Sequence, residues 1–126
     1  MRILSVDDSA ATRHYIKNAI EVLGFEFLEA ANGINGLEVV EQENGQIDLI
    51  LLDRHMPSMD GMEMLLALKS NNTFNTIPVT MVTVEMEREE IQKAIDMGAK
   101  NYLIKPFSQE NLIGKIMEGL DIELLN

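Results

Sequence analysis

The length and composition of this chain restrict what it can be. Its 126 residues are enough for one domain with an ordinary core, and the lack of cysteine excludes disulfides and thiolate metal sites and favours a reducing compartment. A formal net charge of −11 argues against nucleic-acid binding and favours small cations or basic protein surfaces as partners.

The sequence also argues against a membrane protein. No segment reaches the roughly 18 apolar residues of a membrane span, and the N-terminus lacks the layout of a signal peptide. We therefore expect a soluble cytoplasmic protein. No linker or repeat divides the chain, so we expect a single domain over residues 1–126. Because nothing follows the last predicted helix, we expect no attached output domain.

The first predicted elements are a strand, a helix and a second strand. Residues 2–6 are predicted to form a first strand, and Asp7-Asp8-Ser9 are predicted to end it and to cap a helix that runs to about Leu23. Residues 25–30 alternate apolar and acidic side chains, which is typical of a more exposed strand near a sheet edge.

A second helix and a buried strand follow. The helix lies between two Asn-Gly pairs, at 32–33 and 44–45. Residues 47–52 contain an apolar run too short for a helix, which indicates a strand buried on both faces. This strand leads directly to Asp53, and Pro57 prevents either regular structure from continuing.

The rest of the chain repeats the alternation. Helices are predicted after 60–61, from 85 to about 97 and after 108, with strands at 79–82 and 101–104. The fourth helix has an acidic first turn, which matches the positive end of its dipole, and Ile91, Ala94 and Ile95 form its predicted buried face. Five strands alternating with five helices predict an α/β fold, in which one parallel sheet is covered on both faces.

Polar side chains occur where the predicted strands end. Asp7 and Asp8 follow the first strand, Asp53 the third, Thr83 the fourth and Lys105 the fifth. Because ligands of such folds bind beyond the carboxyl ends of the strands, we expect these residues to form one shallow site. Each residue also has a structural explanation when taken alone, since Asp7-Asp8 could cap a helix and Asp53 could belong to a turn.

The chemistry of such a site suits phosphoryl transfer. Three carboxylates brought together repel one another unless their pKa values rise or a divalent cation binds among them. Oxygen ligands without a cysteine or a histidine pair favour magnesium, with manganese as the alternative. A lysine and a hydroxyl opposite the metal could stabilise a transferring phosphoryl group, and Asp53 could itself act as the nucleophile.

Five motifs occur in order along the chain: Val-Asp-Asp-Ser at 6–9, Leu-Leu-Asp-Arg-His-Met-Pro at 51–57, Met-Asp-Gly at 59–61, Thr83 and Tyr-Leu-Ile-Lys-Pro-Phe at 102–107. Together they resemble the motifs of a known family, the receiver domains of bacterial response regulators, and most closely the stand-alone chemotaxis type. The resemblance covers the whole chain. It implies a doubly wound, flavodoxin-like sheet with strand order 2-1-3-4-5, an order taken from the family and not worked out from the residues.

The resemblance also implies roles for the site residues. Asp53 would accept a phosphoryl group from a phosphohistidine of a sensor histidine kinase. The magnesium ligands would be Asp8, Asp53 and the backbone carbonyl of His55, with Asp7 acting through a bound water. Lys105 would pair with the phosphoryl oxygens. The peptide bond before Pro106 is expected to be cis.

The output is expected to be a change in protein binding. Thr83 would hydrogen-bond the new phosphoryl group, and Tyr102 would then turn inward and alter the surface of the fourth helix, fifth strand and fifth helix. Two departures from the family pattern, His55 and Glu85, would flank the path of an attacking water, and we expect them to tune the lifetime of the acyl phosphate. A third, Val84, stands where the family often has a smaller residue, and its bulk is expected to narrow access for small donors or phosphatases.

These inferences favour a phosphorylation-controlled switch of a two-component system that binds a downstream protein and turns over no external substrate. Two alternatives stay open. One is a phosphorelay intermediate that passes the group to a histidine phosphotransfer domain. The other is an aspartyl-phosphate hydrolase, which would need a deeper pocket or a cap domain. We expect a monomer, with dimerisation through the fourth and fifth helices left open.

Overall fold

The computed structural model describes residues 1–84, 86 and 88–122, over which five strands alternate with five helices. The strands are β1 (Arg2–Val6), β2 (Glu26–Ala30), β3 (Leu49–Asp53), β4 (Val79–Thr83) and β5 (Asn101–Ile104). The helices are α1 (Ala10–Val22), α2 (Gly33–Gln42), α3 (Gly61–Lys69), α4 (Arg88–Asp96) and α5 (Gln109–Gly119). None of the helices in these ranges has the length and apolarity needed to cross a bilayer.

The strands form one parallel sheet in the order β2-β1-β3-β4-β5. The predicted doubly wound α/β fold and its strand order are therefore confirmed. The strand predicted to be the more exposed one, β2, lies at an edge of the sheet and has only Ala30 fully buried. Successive strands are added toward one edge of the sheet from β1 to β2 and toward the other edge from β3 onward. The switch point therefore lies between β1 and β3, and ligands of such folds bind beside it.

The central strand β3 is buried along its whole length because helices cover both faces of the sheet. Leu49 and Leu51 pack in the apolar cluster that contains buried residues of α1 and α5. Ile50 and Leu52 pack in the cluster formed with α2, α3 and α4. Alternation of side chains between two apolar layers explains why the sequence of this strand is a continuous apolar run.

The helices begin where the sequence places capping residues. Ser9 and Ser108 cap α1 and α5, as predicted, and their hydroxyl oxygens accept hydrogen bonds from the backbone of Thr12 and Asn111. Asp60 caps α3 and exchanges hydrogen bonds with Glu63 in a capping box. These caps hold the loops between the strand ends and the helices in short, defined conformations.

The predicted buried face of α4 is wrong in part. Ala94 is the fully buried residue of this helix, whereas Ile95 is 36% exposed and Ile91 is half-buried. The helix is nine residues long, and its one fully buried side chain is the small Ala94. The spacing of its apolar residues therefore predicts a wider buried face than the helix has. It begins at Arg88, and Glu85 lies outside the described residues.

Candidate functional site at the carboxyl edge of the sheet

The two aspartates after β1 have different environments. Asp7 is 1% exposed, and its Oδ1 accepts a hydrogen bond of 2.9 Å from the backbone N–H of Ser9 at the start of α1. The backbone carbonyl of Asp7 accepts a hydrogen bond of 2.7 Å from Arg13 in the first turns of α1. Asp8 is exposed. The turn between β1 and α1 therefore presents one buried and one open carboxylate.

Asp53 ends the buried central strand and is itself only 5% exposed. Burial, together with the negative charge of Asp7, raises the pKa of Asp53 from 3.8 to about 6, while Lys105 and a backbone hydrogen bond from His55 oppose the shift. The position of this carboxyl group thus makes its charged form costly unless a cation lies beside it.

Lys105 supplies one such cation. Its Nζ lies 3.1 Å from Oδ2 of Asp7 and 3.3 Å from Oδ1 of Asp53. Burial alone would lower the pKa of Lys105, but hydrogen bonding and charge from Asp7 and Asp53 outweigh it and raise this pKa. The backbone N–H of Lys105 donates to the carbonyl of Thr83 at 2.8 Å. The peptide bond between Lys105 and Pro106 is cis, as predicted.

Thr83 ends β4 beside these charges and is 3% exposed. In the strand register, Val82 pairs with Asp53 and Thr83 pairs with Ile104. Thr83 therefore lies between the carboxyl ends of β3 and β5. The next residue, Val84, is 60% exposed. It lines an open cavity of about 490 Å³ whose other walls are Ala11, Thr12, Tyr15, Lys105, Pro106 and Phe107.

Two other residues singled out by the sequence are less buried than Asp53 and Thr83. Tyr102 is half-buried in β5, and the Nζ of Lys115 in α5 lies 5.0 Å from the centroid of its ring. This is the geometry of a cation–π contact. His55 is exposed and lies two residues beyond Asp53. Glu85, the third tuning residue of the sequence analysis, is among the residues that the structure does not describe.

The acidic residues can hold a divalent cation. One carboxylate oxygen from each of Asp7, Asp8 and Asp53 lies within 4.8 Å of the others. These are hard oxygen donors, and burial and the negative charge of Asp7 keep the pKa of Asp53 raised although Lys105 opposes the shift. Both observations fit magnesium, which binds carboxylates and keeps several of its waters.

Sequence reasoning missed the ion pairs that surround this centre. Arg54, the residue after Asp53, pairs with Glu90 in α4 at 2.7 Å, and Arg13 pairs with Glu29 in β2 at 2.7 Å. Tyr15 and Phe107 also meet beside the cavity, with ring centroids 5.8 Å apart. The partners are distant in sequence, and no local pattern in the chain marks them as neighbours.

Comparison with known proteins agrees with this fold and site. The family model for the response regulator receiver domain matches residues 3–117. Among curated proteins, chemotaxis protein CheY1 of Helicobacter pylori is 35% identical over 117 residues, which cover 92% of this chain and 94% of that protein. The sensor histidine kinase CheAY of the same species is 31% identical over 121 residues, which are 96% of this chain and 15% of the kinase.

A solved structure has the same architecture. Chemotaxis response regulator CheY4 of Vibrio cholerae superposes with a TM-score of 0.88 at 30% identity, covering 94% of this chain and 98% of that one. The doubly wound parallel sheet defines a flavodoxin-like α/β protein, and the acidic cluster lies at the carboxyl edge of that sheet. The chain belongs to the response regulator receiver domain family, so the predicted resemblance is confirmed.

Proposed function

We propose that the chain is a phosphorylation-controlled switch of a two-component system. Asp53 accepts a phosphoryl group in a magnesium-dependent reaction, and the modification changes the binding of a partner protein. The observation that carries this proposal is the position of Lys105, whose ammonium lies within 3.3 Å of both the Asp7 and the Asp53 carboxylates. A cation beside a buried carboxylate and an acidic metal site is suited to stabilising phosphoryl charge.

The reaction itself is a displacement at phosphorus. A carboxylate oxygen of Asp53 attacks the phosphorus of a phosphohistidine, the new O–P bond forms as the P–N bond breaks, and the leaving imidazole nitrogen takes up a proton. Attack requires the ionised carboxyl group, and Lys105 favours that form. Water can later attack the phosphorus of the acyl phosphate, which breaks the bond to the Asp53 oxygen, releases inorganic phosphate and a proton, and returns Asp53 to a carboxylate. The protein would thus contribute to both its phosphorylation and its dephosphorylation.

Asp7, Asp8 and Asp53 would hold the metal, together with the backbone carbonyl of His55. A bound magnesium or manganese ion would shield the negative charge of the phosphoryl oxygens from the acidic residues. Asp7 already has Lys105 on one oxygen and the Ser9 N–H on the other, which supports its proposed action through a bound water.

Lys105 and Thr83 would contact the phosphoryl group once Asp53 is phosphorylated. The Lys105 ammonium would exchange a carboxylate contact for a contact with a phosphoryl oxygen, and the Thr83 hydroxyl would donate to another. These contacts differ between bare and phosphorylated Asp53, and only such differences can shift a conformational equilibrium. Tyr102 would turn inward toward Thr83, give up its contact with Lys115, and so alter the surface formed by α4, β5 and α5.

The comparisons support a histidine kinase as the phosphoryl donor. CheAY, whose name identifies it as a sensor histidine kinase, contains a segment similar to this whole chain, and the curated relatives include chemotaxis proteins. The partner downstream would be a protein that recognises the altered surface. His55, Val84 and Glu85 would tune the lifetime of the phosphoryl group, since His55 and Val84 are both exposed near the site.

Incubation with acetyl phosphate and magnesium tests the proposal. Intact mass should show one added phosphoryl group, and peptide mapping should place it on Asp53. Asp53→Asn should abolish labelling, whereas Asp48→Asn, which removes an exposed carboxylate that contacts Arg2 at the opposite edge of the sheet, should label like the parent. Labelling of the Asp53→Asn variant at the parental level would refute the acceptor assignment.

Two further assays separate the alternatives. Sustained release of phosphate from generic phosphate esters would favour a hydrolase. Rapid loss of the label to an added histidine phosphotransfer domain would favour a phosphorelay intermediate. A label that decays only by hydrolysis supports a switch.

A further inference from the structure

A charged link joins the phosphoacceptor strand to the helix of the proposed output surface. Arg54 follows Asp53, and its Nη2 lies 2.7 Å from Oε2 of Glu90 in the first turn of α4. The Arg54 side chain is 17% exposed and that of Glu90 is 25% exposed. Separating ions that are largely withdrawn from water is costly, because each is left as an incompletely compensated charge. This pair is therefore able to influence where α4 lies.

Arg54 is the fixed end of the link. Its backbone N–H donates to the carbonyl of Val82 in β4 at 2.8 Å, and its carbonyl accepts from the N–H of Gly61 at 2.9 Å. The start of α3 packs so closely here that a Cβ at position 61 would lie 2.8 Å from the Cα of Arg54. The backbone of Arg54 therefore cannot shift without moving the sheet and α3.

Glu90 is the movable end. Its helix has one fully buried side chain, Ala94, so apolar packing holds α4 weakly. Lys93 also pairs with Glu90, at 3.3 Å, but Lys93 is 65% exposed and belongs to the same helix. Among the described residues, Arg54 is the cation that joins Glu90 to another element. This helix begins at Arg88, five positions after Thr83.

We propose that Arg54 is a positioning residue whose ion pair with Glu90 holds α4 in place and thereby weakens the binding of a phosphoryl group at Asp53. This inference rests on the proposed function, in which Thr83 is drawn toward the phosphoryl group. Because α4 begins five positions after Thr83, a displacement of Thr83 would shift α4, while Arg54 stays with β3, and the ion pair would then lengthen or break.

The coupling is reciprocal. Any contact that opposes displacement of α4 lowers the affinity of the site for the phosphoryl group, and by linkage the phosphoryl group weakens that contact by the same factor. The ion pair would therefore also reduce partner binding in the protein that has not been phosphorylated. Removing either Arg54 or Glu90 should therefore increase both the affinity for the phosphoryl group and the partner binding of the unphosphorylated protein.

Beryllofluoride with magnesium is a suitable probe, because it mimics a phosphoryl group on aspartate without a covalent reaction. Its affinity can be measured by ¹⁹F NMR for the parent, Arg54→Gln, Glu90→Gln and the double variant. Each single variant should bind about fivefold more tightly or better, and the double variant should show no further gain. Glu89→Gln, an exposed neighbour in the same turn, is the matched control and should bind like the parent.

Conservative replacement and stability complete the test. Arg54→Lys keeps the positive charge and should return the affinity toward the parental value. A purely structural role would lower the free energy of unfolding without tightening beryllofluoride binding. Unchanged affinities in both single variants, or gains that add in the double variant, would overturn the inference while the proposed function stands. A parent that does not bind beryllofluoride would instead overturn the proposed function and the inference with it.

Discussion

Lys105 and Asp53 are 52 positions apart in sequence, yet the lysine Nζ lies 3.3 Å from Oδ1 of the aspartate. The same ammonium lies 3.1 Å from Oδ2 of Asp7. One cation thus partly balances two buried carboxylates, and the remaining negative charge is available to a metal ion. The behaviour of the site under substitution, pH and metal removal follows from this incomplete balance.

Lys105→Ala should raise the pKa of Asp53 further above its present value of about 6, since the charge that opposes burial is lost. Loss of an opposite charge at this distance is worth about 1–3 pKa units. Carboxyl ¹³C NMR titration measures the change. Lys100→Ala, which removes a lysine paired with the exposed Asp121, is the control and should leave the pKa of Asp53 unchanged.

Lys105→Ala should also uncouple phosphorylation of Asp53 from the conformational change that follows it. Lys105→Ala should still bind magnesium, because the carboxylates remain, but labelled protein should show little of the change in amide exchange that labelling produces in α4, β5 and α5 of the parent. Hydrogen exchange before and after incubation with acetyl phosphate measures this. An exchange response equal to that of the parent would exclude a coupling role for Lys105.

Asp53→Asn should stabilise the protein at neutral pH when a chelator is present. The pKa of Asp53 is higher in the folded state, about 6, than its ordinary value of 3.8. The folded protein therefore binds the Asp53 proton more tightly than the unfolded chain does. The stabilisation from this proton is fully present below about pH 4 and is lost as the pH rises through about 6. Asparagine cannot ionise and avoids the loss, which amounts to at most about 3 kcal/mol.

Urea unfolding in EDTA across pH 4 to 7 measures the effect. The difference in unfolding free energy between Asp53→Asn and the parent should grow over this interval. Asp48→Asn should show no comparable growth, because Asp48 is exposed and lies at the other edge of the sheet. A difference that is constant with pH would show that ionisation of Asp53 does not destabilise the fold.

Magnesium should raise the melting temperature of the parent, and EDTA should reverse the effect. A ligand at about 100 times its dissociation constant stabilises the fold by about 2.7 kcal/mol. Asp8→Asn should reduce this stabilisation, since Asp8 belongs to the acidic cluster, and its exposure means that the substitution disturbs no packed side chain. Thermal scans against magnesium concentration test this, with Asp121→Asn as the control. An equal response in both variants would remove Asp8 from the metal site.

Gly61→Ala should destabilise the protein by about 1–3 kcal/mol, the usual cost of forcing an extra group into a packed region. An added Cβ would collide with the carbonyl oxygen of Asp53 and lie 2.8 Å from the Cα of Arg54. Gly114→Ala is the matched substitution, because it lies inside α5 with nothing within 4 Å of its Cβ position. It should stabilise by about 0.5–1 kcal/mol. Denaturant unfolding of both variants provides the comparison.

The α4 region shows where sequence reasoning fails. The spacing of Ile91, Ala94 and Ile95 predicts a buried stripe, but only Ala94 is fully buried and Ile95 is 36% exposed. Apolar spacing reports which residues share a helix face, not how closely that face approaches its neighbours. The Arg54–Glu90 pair is likewise invisible in the sequence, because its members lie 36 positions apart and each resembles an ordinary surface charge.

The sequence by itself determined the alternation of strands and helices, the buried character of β3 and the order in which polar residues follow the strands, because short-range patterning and capping are local properties. It also determined the family, since every motif occurs in order along the chain. The tertiary structure alone decided the distances among Asp7, Asp53 and Lys105 and the unequal exposure of Asp7 and Asp8. These depend on the register of neighbouring strands and the packing of helices across the sheet, which no local segment encodes.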